Sequence, residues 1–87
     1  MKIIGAAPLT AFQLACSLPR NAKFRAFVAS VRKCDAVTID DAGQFIRERC
    51  EVESRRELET DYEAVYRFHS RVRKPFVAWC AQQAEHA

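Results

Sequence analysis

Asn21-Ala22-Lys23-Phe24-Arg25-Ala26-Phe27-Val28-Ala29-Ser30-Val31-Arg32-Lys33 is the stretch on which the fold turns. Phe24, Phe27, Val28 and Val31 fall at i, i+3, i+4 and i+7, which is one face of a helix with 3.6 residues per turn. Asn21 precedes the run as an N-cap, its side chain able to accept from the first free backbone N–H groups. Arg32 and Lys33 close it, where cations complement the negative end of the helix dipole. The spacing predicts a helix over Ala22–Lys33 with an aromatic face that needs partners.

Downstream, Cys34–Val37 reads as a linker or a short strand. Thr38 and Asp41 then form a T-x-x-D variant of the capping box, and the helix Ile39–Cys50 follows with Ile39, Ala42, Phe45 and Ile46 on one face. Gly43 inside it costs up to about 1 kcal/mol against Ala, so a close helix contact is expected there. Ser54 and Glu57 make a capping box proper, and Thr60 and Glu63 a second one. Leu58, Tyr62, Val65, Phe68 or His69, and Val72 keep helical spacing, which favours one continuous helix over a short helix 54–59 followed by a helix 61–73. At Pro75 an α-helix would lose a hydrogen bond and meet the carbonyl of Arg71. The proline therefore opens a new helix, Pro75 to about Gln83, or kinks the old one. Phe76, Val77, Trp79 and Cys80 give that segment its apolar side.

Upstream, Leu18-Pro19-Arg20-Asn21 is a turn, because the residue before proline avoids the α region. Thr10 caps a short helix to about Ser17, with Phe12 and either Ala15 or Cys16 facing inward. Residues 1–9, broken by Gly5 and Pro8, are expected to be extended or irregular, and residues 84–87 to fray.

Together these segments define an all-α fold: a small bundle of four or five short helices, with a short extended N-terminus. The chain has 87 residues, room for a single helical domain over 1–87. Its 49% hydrophobic content supports one core and its 29% charged content fits a soluble globular chain, not a disordered one. The expected core is Phe24, Phe27, Val28, Val31, Ala42, Phe45, Ile46, Val65, Phe68 and Val72.

Cys16, Cys34, Cys50 and Cys80 contain no C-x-x-C or C-x-H pair, so a metal site is not expected. Each sits beside apolar residues at helical spacing, which reads as buried free thiols and hence a reducing, cytoplasmic setting. Met1–Leu18 resembles an export signal only faintly: it has one leading charge, and Pro8, Thr10 and Gln13 interrupt the apolar run. No run reaches the roughly 18–20 apolar residues of a membrane span.

Charge order is the chain's most unusual property. Residues 1–37 carry a net +5, residues 38–63 a net −5 and residues 64–87 a net +3. Such blocks speak to association more than to fold. Catalysis has no comparable signal, since the nucleophile elbow, the phosphate loop and the H-E-x-x-H helix are all missing. Cys50 with His69 lacks a third group, and Asp40 with Asp41 is explained by the helix dipole. No enzyme activity and no cofactor are expected.

If the helix persists, Arg67, Arg71 and Lys74 form one basic stripe, with Arg73 beside it and Tyr66, Phe76 and Trp79 nearby. Ser54-Arg55-Arg56 could open a recognition helix after 39–50, but Glu51, Glu53, Glu57 and Glu59 surround the two arginines and would repel phosphate. The expectation is a non-catalytic accessory or inhibitor-type module that occupies a larger protein partner. Its contact residues would be Arg67, Arg71, Arg73, Lys74, Phe76 and Trp79, with Arg55 and Arg56 in an acidic second face. Small helical proteins carried by phages and other mobile elements supply the analogy of type. The alternative is a nucleic-acid-binding module on the same stripe, and the opposed charge blocks also suit a homodimer.

Overall fold

A computed structural model describes residues 10–85; the expected extended N-terminus at 1–9 and the last two positions lie outside the described residues. Side-chain caps start four of the helices. Thr10 Oγ1 accepts from the Gln13 N–H at 3.1 Å while the Gln13 side chain accepts from the Thr10 N–H at 2.9 Å, opening α1 (Ala11–Ser17). Asn21 Oδ1 accepts from Lys23 and Phe24 and opens α2 (Ala22–Arg32). The Thr38–Asp41 box opens α3 (Ile39–Cys50) as the spacing predicts.

The second of the two downstream boxes does not form. Ser54 and Glu57 cap only a five-residue 3-10 segment, Arg55–Glu59. Asp61, not Thr60, caps α4 (Tyr62–Phe68), its Oδ1 accepting from Glu63 at 2.9 Å and Ala64 at 3.3 Å. A carboxylate competing for those N–H groups favours a cap over a helix interior, so the expected continuity from 54 to 73 is broken at Thr60 and Asp61.

Past α4 the chain stays helical through Pro75. A π turn (His69–Arg73) joins α4 to α5 (Lys74–Glu85), and the Lys74 N–H bonds five residues back to the His69 carbonyl. The wider turn opens the helix where the proline ring would meet the Arg71 carbonyl. It also sets the register. Ala64, Phe68, Val72 and Phe76 are spaced by four, which drifts about 40° per step around a regular α-helix. The π turn takes up that drift, so Ala64, Phe68 and Val72 are buried and Phe76 packs on the same core. The last helix also runs two residues beyond the expected Gln83, to Glu85. Among the described residues there are four helices counted as rods, and five counted as α-segments.

Phe24 and Phe27 of α2, Phe45 of α3, and Phe76 and Trp79 of α5 form the aromatic part of the core. Phe24 meets Phe76 edge-on at 5.2 Å, Phe27 meets Phe45 at 6.1 Å and Trp79 meets Phe27 at 5.9 Å. Each fully buried large side chain of this kind contributes roughly 1.5–3 kcal/mol. Ala11, Ala15 and Leu18 extend the core under the 3-10 segment through Leu58.

Several expectations are corrected. Val31 and Ile39 are exposed, because they lie at the end of α2 and the first turn of α3, beyond the helix crossing. Val65 is half-buried. Tyr62 is 91% exposed, since Asp61 makes it the first residue of a helix whose buried face is Ala64 and Phe68. Of the cysteines only Cys50 is buried; Cys16 and Cys34 are exposed, Cys80 is half-buried, and none is paired. Cys34–Val37 is irregular and not a strand. The Leu18–Arg20 turn is one turn of 3-10 helix. The recognition helix expected to open at Ser54-Arg55-Arg56 does not form, because the segment after α3 is a five-residue 3-10 helix with Arg55 directed back into the protein. No helix among the described residues is long and apolar enough to cross a membrane.

Gly43 is buried, and the atoms nearest to a Cβ built there are side-chain atoms, not a neighbouring helix backbone. They belong to the guanidinium groups of Arg47 and Arg55, the nearest at 3.7 Å, which is ordinary contact. Gly43→Ala is therefore expected to stabilise the protein by up to about 1 kcal/mol through helix propensity. Urea unfolding checks this: a raised midpoint is the expected result, and a lowered one would mean that the site tolerates no methyl.

Candidate functional site

The C-terminus of α3 organises the surface that the basic stripe was expected to form. A helix leaves its last four carbonyls without partners. Glu51, at φ 59, turns the chain left-handed. The Val52 N–H then bonds to the Arg47 carbonyl at 3.0 Å and the Glu51 N–H to that of Glu48 at 3.3 Å. This is the Schellman pattern with glutamate in the position usually held by glycine. The remaining two carbonyls are taken by arginines of the last rod. Arg67 Nε donates to the Cys50 carbonyl at 2.6 Å, and Arg71 donates to the Arg49 carbonyl at 3.2 Å and to Glu51 Oε2 at 2.6 Å.

Electrostatics follow from this geometry. The Arg71 hydrogen bond and charge hold the Glu51 carboxyl below its ordinary range. Burial pushes the Cys50 thiol up to about 11, even with Arg67 and Arg71 pulling the other way. That is the opposite of thiolate activation. Burial, then Arg73 and Lys74, push His69 below its ordinary value, and His69 Nδ1 accepts from Arg73 Nε at 2.9 Å.

The expected contact residues thus separate. Arg67 and Arg71 meet at the end of α3 and Arg73 turns to His69. Lys74 is exposed, with no partner among the described residues. Phe76 and Trp79 are half-buried and pack on the aromatic core. Arg55 donates to the Ala15 carbonyl at 3.1 Å, and Arg56 lies 3.9 Å from Glu59 with its side chain mostly in water. The Arg49 guanidinium lies over the Phe45 ring, 4.8 Å from its centroid.

What lies beside the arginine clamp is a pair of tyrosines. Tyr62 and Tyr66 are one turn apart on α4 and are 91% and 72% exposed. With Glu51, Glu63, Arg67 and Arg71 they line an open groove of about 420 Å³. Tyr62 and Glu63 were not legible as site residues, because Tyr62 fitted the helical spacing of the core. The signal was Asp61: with α4 starting there, Tyr62 and Tyr66 lie about 200° from Ala64 and Phe68, on the outer face.

No family model, curated protein or solved structure matches this chain.

Because Arg67 ends in a half-buried, charge-assisted bond to a carbonyl, Arg67→Gln is expected to cost about 1.5–3 kcal/mol. Lys74→Gln, one turn into solvent, is expected to stay within about 0.5 kcal/mol. Urea unfolding of the two variants decides. Equal, small effects would mean that Arg67 carries no structural role.

Proposed function

We propose that this protein is a non-catalytic binding module that docks on a larger protein through the outer face of α4 and acts by occupying it. The observation that carries this reading is the exposure of Tyr62 and Tyr66. Two large amphipathic rings held in water on one helical turn contribute little to the fold, and tyrosine beside arginine is the composition of binding hot spots. α4 belongs to a rod pinned to α3 by Arg67 and Arg71, so the rings are presented on a rigid element and lose little freedom on binding. Lys74 is exposed further along the same rod, while Phe76 and Trp79, expected as anchors, pack on Phe24 and Phe27 of α2.

Protein is favoured over nucleic acid by charge. Arg67 and Arg71 already serve carbonyls and Glu51, and the carboxylates of Glu51 and Glu63 line the same groove. Phosphates entering there would meet two carboxylates before a free cation. An accessory or inhibitor role of the kind found in mobile genetic elements fits such a module by type.

A tagged pull-down from a lysate of the source organism tests the reading, run with and without nuclease for the wild type and a Tyr62→Ala/Tyr66→Ala variant. The expected result is a near-stoichiometric protein that survives nuclease and is lost with the two rings. Nucleic acid released by nuclease and by moderate salt would establish the rival instead. Equal capture by both forms would remove α4 as the contact.

A further inference from the structure

A second groove, of about 260 Å³, runs between α1, α3 and the 3-10 segment and shares no residue with the tyrosine face. It is lined by Phe12, Cys16, Arg47, Glu53, Ser54, Arg55 and Arg56. Gly43 explains how two of its cations come together. One terminal nitrogen of Arg47 and one of Arg55 each stand 3.7 Å from the point where a Cβ on Gly43 would sit. Both guanidinium groups therefore occupy one small space beside α3.

Neither is neutralised. Among the described residues the ion pairs are Arg32–Glu48, Arg56–Glu59 and Arg71–Glu51, so no carboxylate reaches Arg47 or Arg55, Glu53 in the groove wall included. Their bonds are to neutral oxygens: Arg47 to the Gln44 side chain at 2.7 Å and Arg55 to the Ala15 carbonyl at 3.1 Å. Each guanidinium has five N–H donors, so several remain on both. Ser54 Oγ accepts from the Arg56 N–H at 3.2 Å, which leaves its hydroxyl proton to donate. Two like charges held together at the edge of water repel, and an anion between them removes that repulsion.

We propose that this groove binds a phosphoryl group, with Arg47 and Arg55 as its paired ligands, Arg56 as the outer cation and Ser54 as a hydroxyl donor. Paired guanidinium forks suit the several oxygens of a tetrahedral dianion better than the two of a carboxylate. The groove's volume lies below the roughly 300–1,000 Å³ of pockets that enclose whole small molecules. It therefore takes the phosphoryl group itself, whether from free phosphate or from a phosphate monoester.

The test is a titration followed by NMR on the intact protein. Inorganic phosphate and the N-acetyl amide of phosphoserine are added in separate arms at constant ionic strength, with sodium chloride as the control. The readouts are the Arg47 and Arg55 Nε–H signals and the amides of Ser54–Arg56. Saturable shifts with either phosphate, absent with chloride, are expected. Tighter binding of the phosphoserine amide would assign the site to a phosphorylated side chain, and equal or tighter binding of inorganic phosphate would assign it to the free ion. Arg47→Gln, whose only side-chain bond among the described residues is to Gln44, should weaken binding roughly ten- to a hundredfold, the loss of one charged donor pair. Arg56→Gln, at a side chain already in water, should weaken it less and serves if the first variant is misfolded. Shifts that match chloride, or binding unchanged in both variants, would overturn the assignment.

Discussion

The end of α3 is the constraint on which the rest depends. Four carbonyls must find donors where the helix stops, and water is not the answer at a half-buried junction. The chain itself supplies two donors by turning left-handed at Glu51, and α4 with the π turn supplies the other two through Arg67 and Arg71. One set of bonds ends a helix, fixes the rod 62–85 against it and gives Glu51 a counter-ion that helps hold its left-handed backbone. A chain of this size buries only about 60–65% of its unfolded surface, so a junction closed by charge-assisted bonds matters more than it would in a larger domain.

The same chemistry recurs elsewhere. Arg25 donates to the Pro19 carbonyl at 2.8 Å and Arg55 to that of Ala15. Four arginines among the described residues, Arg25, Arg55, Arg67 and Arg71, donate to carbonyls at helix ends, across sequence separations of up to 40 residues. The basic–acidic–basic order is bridged in the fold by Arg32–Glu48 and Arg71–Glu51, which join each outer block to the middle one. What remains for partners is then narrower than the charge count implies: an outer helix face led by two tyrosines, and a small groove where two arginines converge with no carboxylate among the described residues in ion-pair range of either. The first supports the reading as a protein-binding module, and the second adds an anion site independent of it.

Legibility divides by the range of the interaction. Caps such as Thr10, Asn21, Thr38 and Ser54, and the aromatic face of α2, are local and were readable, because both cap and period lie within a few residues. The break at Asp61 is not readable locally because Thr60–Glu63 offers an equally good box, and only the packing of Ala64 and Phe68 chooses between them. The π turn was visible as an ambiguity, Phe68 or His69 on the inner face, which a period of 3.6 cannot resolve and an added residue does. The arginine–carbonyl bonds were unreadable, since a carbonyl has no letter in the sequence. Spacing alone therefore places Arg67, Arg71 and Lys74 on one outward stripe, although Arg67 and Arg71 each donate to a carbonyl at the end of α3.

Hydrogen exchange of arginine Nε–H groups, read by NMR in the folded protein, tests the central claim most directly. Arg67 Nε–H, 2.6 Å from the Cys50 carbonyl, should exchange slowly, while that of Arg56, on a side chain mostly in water, should exchange at the rate of a free guanidinium. Equal, fast exchange at both would contradict the account, because the junction at the end of α3 would then be closed by water and not by the protein.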